Sequence, residues 1–133
     1  MFKLNLLTPE KKVVVDLEIS EIVIPTHSGE INVYAGHVPL IANLGTGVLK
    51  YKTKDSGSVF KSVISSGYCE INPEGVNVLT EFVQLKEEIS EEKAMAAKQA
   101  AEEKLAKVSL SDEEFETTLN DAEKARAGLQ LLN

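Results

Sequence analysis

Hydrophobic and polar residues alternate along the first two thirds of the chain, which is the pattern of half-buried β-strands. Residues 2–6 alternate in this way, and the turn-forming segment Thr8-Pro9-Glu10 follows them. The predicted strands are 2–6, 13–15, 17–19, 22–24, 31–33, 48–52, 59–64, 68–71 and 76–80. Many short strands without an intervening helical pattern indicate an antiparallel sandwich or barrel.

Helical patterns occupy the rest of the chain. Ser90 is a suitable N-cap for a first helix, and Ser111 with Glu114 forms a capping box that begins a second. The predicted apolar stripe of the first helix is Ala94, Ala97, Ala101, Leu105 and Val108, and that of the second is Phe115, Leu119, Ala122, Ala125, Leu129 and Leu132. The short break around residues 108–110 predicts an antiparallel helical hairpin.

The composition changes at the boundary between these two patterns. Seven of the eight Gly and all four Pro precede residue 86, whereas most of the Ala follows it. Residues 1–85 carry 7 basic and 9 acidic side chains, and residues 86–133 carry 7 and 12. We therefore predict a two-part α+β protein, with an N-terminal antiparallel β-sandwich (1–85) followed by a C-terminal antiparallel α-helical hairpin (86–133).

The Ala-rich stripe of the first helix affects how strongly the hairpin packs on the sandwich. Each Ala buries little apolar area, so an Ala-lined contact stabilises far less than a Leu-lined one. Such a hairpin can form by helix propensity and still dock only loosely on the sandwich, as a ligand-biased switch requires. A hairpin that is permanently docked is the alternative, and the sequence favours neither.

Charge and composition exclude several classes of protein. The net charge of −7 and the 5% of aromatic residues argue against a nucleic-acid-binding surface. A single cysteine, Cys69, excludes an internal disulfide framework and a cysteine-built zinc site. No apolar run approaches the length needed to cross a bilayer, and residues 1–6 lack a signal-peptide core. We expect a soluble protein of a reducing compartment that does not insert into a membrane.

Candidate catalytic groups are few and scattered. His27 and His37 lie in turn-like segments without metal-ligand spacing, and Cys69 lies within a strand without a basic neighbour. The segment Gly45-Thr46-Gly47 lacks the following helix that a phosphate-binding loop needs, so we interpret it as a turn. The sequence therefore predicts no catalytic residue, no metal site and no cofactor, and a protein that is not an enzyme by itself.

One stretch of sequence is far more specific than the rest. Residues 28–41, with Gly29-Glu30 and Gly36-His37-Val38-Pro39-Leu40, together with residues 44–49, resemble the signature of the ATP synthase epsilon subunit family. Residues 7–10 and 66–71 follow in the order that family shows, so the resemblance extends over essentially the whole chain. Ala35 stands where the family usually has Pro before the Gly-His pair.

This resemblance implies a non-catalytic, central-stalk subunit of a bacterial or plastid F-type ATP synthase, which makes ATP from a proton-motive force. The sandwich would lie between the gamma subunit and the c-ring. The hairpin would either fold onto the sandwich or extend along gamma toward the alpha/beta head and block ATP hydrolysis. The implied location is peripheral, on the cytoplasmic face of the bacterial inner membrane, rather than on the plastid thylakoid.

The resemblance also assigns roles to individual residues. The implied contacts are Ser28, Gly29 and Glu30 with the c-ring, His37, Pro39 and Leu40 with gamma, and Lys124 and Arg126 weakly with beta. Six acidic residues surround those two cations in residues 112–123, and their repulsion from an acidic site on beta would make inhibition partial or salt-dependent.

Some members of the family bind ATP through an [IL]-D-x-x-R-A motif at the start of the first hairpin helix. The corresponding residues are Ile89, Ser90, Lys93 and Ala94, so Ser replaces the acid and Lys replaces the Arg. A lysine lacks the planar fork that binds a phosphate in a bidentate manner. We therefore predict weak or absent ATP binding.

Two other classes of function are compatible with the residues alone. A free β-sandwich that binds a small ligand is the first, although the scarcity of aromatic rings disfavours a carbohydrate site. A small hydrolase is the second, disfavoured because no nucleophile and base can be paired. Only a stalk subunit would co-purify stoichiometrically with gamma and c-ring partners.

Overall fold

The structure, a computed structural model, describes residues 2–36, 38–106 and 111–132. Seven strands precede two helices, with a single 3-10 turn at Lys86–Glu88 between them. The strands are β1 (Lys3–Leu7), β2 (Lys12–Thr26), β3 (Gly29–Tyr34), β4 (Leu40–Asn43), β5 (Gly47–Thr53), β6 (Val59–Asn72) and β7 (Gly75–Leu85). The helices are α1 (Glu91–Leu105) and α2 (Asp112–Leu132).

The strands form a sandwich whose backbone pairings close on themselves. Their order is β1-β7-β6-β5-β2-β3, and β1 also pairs with β2, so the ring of hydrogen-bonded strands is complete. Alternate residues of the long strands point inward and form one buried core, which includes Leu4, Ile22, Leu49 and Ile64. The predicted sandwich of antiparallel strands is confirmed, with the addition that β1 and β7 run parallel.

A bend in β6 moves this strand from one sheet of the sandwich toward the other. Before the bend β6 pairs with β5, and after it β6 pairs with β4, so β4 and β5 are two parts of one interrupted strand. The bend lies at Ser66 and Gly67, which have φ values of 64° and 122°. An added Cβ at Gly67 would overlap the Leu79 carbonyl oxygen, so β6 and β7 can approach this closely only with glycine there.

Several predicted strands prove to be parts of longer ones. The segments 13–15, 17–19 and 22–24 all belong to β2, which continues through Asp16 because that residue adopts a φ of 49° and the pairing with β1 shifts register nearby. The segments 59–64 and 68–71 likewise both belong to β6. The strand β4 was not predicted, because its four residues follow Pro39 without a clear alternation.

The helix boundaries agree closely with the sequence pattern. The Ser90 side chain accepts a hydrogen bond from the Lys93 amide, and the Ser111 hydroxyl accepts one from the Glu114 amide, as expected of N-caps. The two helices pack against each other as an antiparallel hairpin, and α2 also packs on β5 and β6. No helix among the described residues is long and apolar enough to cross a membrane.

The packing faces of the helices differ from the predicted stripes. Ala101 is the one buried residue of α1, Ala97 is exposed, and Val108 lies outside the described residues. In α2, Phe115 is exposed, whereas Ala122 and Ala125 are buried. Because α2 contacts both α1 and the sandwich, it has a second packing face that the sequence pattern did not predict. The members of this face, at helical spacing, are Asn120, Lys124, Ala127 and Leu131.

Candidate partner-docking surfaces

The first surface is the turn between β2 and β3. The ladder ends at the pair Thr26–Gly29, which leaves His27 and Ser28 as a two-residue loop. The Thr26 hydroxyl donates to the Gly29 carbonyl and accepts from the Ser28 amide, so the loop is held from within. Ser28, Gly29 and Glu30 are all exposed at this tip, and Gly29 has a φ of 113°. The turn therefore presents the Glu30 carboxylate on a β-hairpin whose loop is held by internal hydrogen bonds.

The second surface, which we call the apolar dock, is formed by Val38, Pro39, Leu40, Ile41 and Tyr68. All five residues are exposed, with Val38 at 74% and Ile41 at 70%. The β4–β6 pairing places Ile41 and Tyr68 on the outer side of the sandwich, because their neighbours Ala42 and Cys69 point into the core. His37, predicted for the same surface, lies outside the described residues. Leu40 lies on the opposite side of β4 from Ile41, since its partner Ile71 is buried, but it is still 42% exposed. Exposed apolar side chains of this kind are typical of protein interaction sites.

A third feature is a cleft of about 550 Å3 between the two helices and the segment that joins them to β7. Ile89, Ser90, Lys93 and Ala94, the residues of the altered nucleotide motif, all line it. Ser90 uses its side chain to cap α1, so its hydroxyl is already engaged. Lys104 and Lys124 add two cations to the lining, and Glu88 and Asp121 add two anions. The motif residues thus meet in one cleft of mixed charge.

The two cations of α2 are engaged within the docked hairpin. The Lys124 ammonium lies 4.4 Å from the centroid of the Phe82 ring, which is a cation–π contact with the sandwich. The Arg126 guanidinium is 3.2 Å from the Glu102 carboxylate, the single ion pair found among the described residues. Both groups of this pair are half-exposed, so its net stabilisation is small. Lys124 and Arg126 can therefore meet an outside partner only if these contacts break.

The remaining candidate groups for chemistry lie apart from one another. Cys69 is fully buried in the sandwich core, and burial raises the pKa of its thiol, which lowers its reactivity. His27 is exposed at the β2–β3 loop. In the parts of the chain that the structure describes, no group of three or more His, Cys, Asp or Glu could hold a metal ion. Gly45 and Gly47 serve close packing, since a Cβ on either would lie 2.9 Å from β2.

Sequence reasoning missed the polar contact between α2 and the sandwich. The Asn120 Oδ1 oxygen lies 2.9 Å from the Thr46 hydroxyl and 3.0 Å from the Ser65 hydroxyl. The two hydroxyls lie 2.7 Å from each other. An apolar-stripe search overlooks an amide on a helix face. The available signal was its spacing of seven and eleven residues from Ala127 and Leu131, which places all three on one side of the helix.

Comparisons of the sequence with known proteins agree with one another. Residues 1–86 match the family model described as the ATP synthase delta/epsilon chain, β-sandwich domain. The ATP synthase epsilon chain of Bdellovibrio bacteriovorus is 38% identical over 128 residues, which is 96% of this chain and 91% of that one. That of Geobacter sulfurreducens is 34% identical over 129 residues, or 97% and 91% of the two chains.

Comparisons of the fold give the same result. The structure resembles a chain in a cryo-EM structure of the Euglena gracilis mitochondrial ATP synthase that includes OSCP, F1 and the c-ring. The TM-score is 0.87 at 25% identity, over 99% of this chain and 81% of that chain. A chain from the central stalk and c-ring of the Tetrahymena thermophila enzyme shares the fold, with a TM-score of 0.65 at 13% identity over 99% and 96% of the chains.

Proposed function

We propose that this chain, which belongs to the ATP synthase epsilon chain family, is a non-catalytic subunit of the central stalk of an F-type ATP synthase. Family membership rests on the match over residues 1–86 and on relatives that align with nearly the whole chain. Its bacterial relatives favour a peripheral position on the cytoplasmic face of a bacterial inner membrane, where partners would hold it.

The apolar dock is the observation that carries this proposal. Exposed Leu40 and Ile41 lie on a sandwich whose core is otherwise well filled, so they are available to a partner. We assign this surface to the gamma subunit and the Ser28-Gly29-Glu30 turn to the polar loops of the c-ring. The structural relative from Euglena is part of an assembly that includes a c-ring, which supports the second assignment.

The helical hairpin is the regulatory part of the proposed function. Since α1 packs mainly on α2 and buries only Ala101, the hairpin is held to the sandwich through one face of α2. That face has two buried apolar side chains, Ala127 and Leu131, which pack with Val63 and with the partly buried Val48 and Phe82 of the sandwich. Such a limited contact suits an element that leaves the sandwich, extends along gamma and inhibits ATP hydrolysis in the alpha/beta head.

The gamma assignment can be tested with Ile41→Asp. A charge in the middle of an apolar interface loses its hydration without gaining a partner, so we expect the affinity for gamma to fall at least about 100-fold. The measurement is co-purification and titration of the purified chain with the gamma subunit. The fold should be unaffected, because Ile41 points away from the core.

Val59→Asp is the matched control for this test. Val59 is also an exposed apolar residue of a strand, with 56% of its surface accessible. It lies away from the apolar dock, because it precedes Glu70, the β6 residue paired with Ile41, by eleven residues. We expect Val59→Asp to bind gamma normally. Equal losses in both variants would show a general effect of added charge, and no loss in Ile41→Asp would remove the apolar dock as the gamma site.

The cleft between the helices allows a separate test of ATP binding. Calorimetric titration of the full chain with ATP should show no micromolar affinity, since Ser90 and Lys93 replace the acid and the arginine of the family motif. The double variant Ser90→Asp, Lys93→Arg should bind more tightly, because aspartate still caps the helix and arginine adds a bidentate donor. Micromolar affinity of the unaltered chain would contradict the prediction.

A further inference from the structure

The corner of the sandwich where β6 bends holds a cluster of three polar side chains. Thr46 lies just before β5, Ser65 lies just before the bend in β6, and Asn120 reaches them from α2. Ser65 is almost fully buried, whereas Thr46 and Asn120 are partly buried. The Thr80 hydroxyl donates to the Ser65 carbonyl at 2.9 Å and so braces the strand from β7.

The hydroxyl groups of Thr46 and Ser65 favour a hydrogen bond to the Asn120 side chain of α2. The Thr46 and Ser65 hydroxyls share two hydrogens among three contacts of 2.7, 2.9 and 3.0 Å, and the Asn120 Oδ1 oxygen has none. The two hydroxyls can satisfy only one hydrogen by bonding to each other. The remaining hydrogen is donated to the Asn120 Oδ1 oxygen, which lies within hydrogen-bond distance of both hydroxyls, and without it a poorly hydrated O–H group loses this acceptor.

The rest of this face of α2 fixes its position less strictly, since the Lys124 side chain that contacts the Phe82 ring is long and flexible. Ala127 and Leu131 contact Val63 through apolar surfaces, which have no preferred direction. A shift of α2 by one turn would bring Glu116 or Lys124 to the hydroxyl pair. An ammonium cannot accept a hydrogen bond, and a carboxylate would lose part of its hydration there. The amide at position 120 suits the pair in one register only.

We propose that Asn120, Thr46 and Ser65 form a polar latch that fixes the register of α2 on the sandwich and sets the ratio of docked to undocked hairpin. This inference rests on the proposed role of the hairpin as a mobile regulator. It identifies Asn120 as the positioning residue of the docked state, and the two sandwich hydroxyls as its receptor.

Native-state hydrogen exchange of the full chain tests the latch. Undocking removes the packing that stabilises α2, so its helix opens more readily, and the protection of its amides reports the docking equilibrium even when the undocked form is rare. We expect Asn120→Ala to reduce the protection of α2 about 5- to 30-fold, as the loss of one or two bonds to buried groups implies. Ser65→Ala should reduce it less, because the Thr46 hydroxyl can still donate to Asn120.

Controls separate the latch from a change in helix propensity. Alanine favours a helix more than asparagine, so Asn120→Ala would raise the protection of α2 if only propensity mattered. Gln130→Ala removes an exposed amide from the same helix and should leave the protection unchanged. In the double variant Asn120→Ala, Ser65→Ala, the loss should be smaller than the product of the two single losses, because the residues act together.

The outcomes distinguish the latch from the function on which it rests. Unchanged protection in Asn120→Ala, or independent effects of the two substitutions, would overturn the latch whatever the enzyme does. Reduced protection, together with a double-variant loss smaller than the product of the two single losses, would establish the latch. ATP hydrolysis by the assembled complex is measured separately with the same variants. If exchange changes and hydrolysis does not, the latch stands and the regulatory role of the hairpin fails.

Discussion

Replacing Gly67 with alanine is expected to lower the free energy of unfolding by about 3 kcal/mol or more. The residue has a φ of 122°, which an L side chain rarely adopts. In addition, its new Cβ would overlap the carbonyl oxygen of Leu79 on β7. Relief requires β6 and β7 to separate where they form part of the sandwich core. Urea unfolding, followed by circular dichroism, measures the change.

Gly29→Ala provides the matched control. Gly29 has a similar φ of 113°, but an added Cβ there meets no atom within 4 Å. The difference between the two variants isolates the overlap from the backbone strain, which alone is about 1–3 kcal/mol. We expect Gly67→Ala to be the more destabilised by at least about 2 kcal/mol. Equal losses would mean that backbone strain, and not the closeness of β6 and β7, demands glycine at position 67.

Deleting the residues after Glu88 is expected to release ATP hydrolysis in the assembled complex while the complex still forms. The deletion removes α1 and α2 but leaves every strand and both docking surfaces in place. The expected rise is about fivefold, the lower end of typical allosteric coupling, because the acidic α2 suits only partial inhibition. ATP hydrolysis and ATP synthesis driven by an ion gradient, both in reconstituted complexes, measure the effect. A truncated complex that fails to couple would contradict this division of labour.

A substitution in the sandwich should have the opposite effect. Val63 is fully buried, yet Ser62 and Ile64 on either side point into the core, so Val63 is covered by α2. In Val63→Asp the docked state would bury an unpaired carboxylate, so the fraction of docked hairpin should fall by more than about tenfold. The hairpin itself is intact and free to extend, so hydrolysis should decrease. An increase like that of the truncation would show that an undocked hairpin does not inhibit.

The sequence predicted the class of fold because its strongest signals are local. Alternation marked the strands, and Ser90 and Ser111 marked the helix starts. The sequence did not predict that the separate predicted strands would join into the long strands β2 and β6. That joining depends on positive φ values at Asp16 and Ser66. Those values are imposed by neighbouring strands. Serine has no preference for such values, and the modest preference of aspartate does not single out one position in a sequence.

The candidate site divides in the same way. The Ser28-Gly29-Glu30 turn and, within the apolar dock, Pro39 and Leu40 could be named from a motif. Ile41 and Tyr68 could not, because their exposure depends on the pairing of β4 with β6. Asn120 could not, because its significance depends on two hydroxyls 74 and 55 residues earlier in the chain. A polar residue gains a structural role from the groups it meets, and only the folded chain brings those groups together.

The parallel pairing of β1 with β7 has a consequence for synthesis on the ribosome. Lys3 pairs with Gly75, so the first strand acquires this neighbour only after some 72 further residues have been translated. At roughly 5–20 residues per second, this delay is about 4–14 s. Throughout that interval one edge of the nascent N-terminal strand is open to pairing with another chain. Chaperone protection or rapid translation of the codons between β1 and β7 should therefore raise the yield of correctly folded protein.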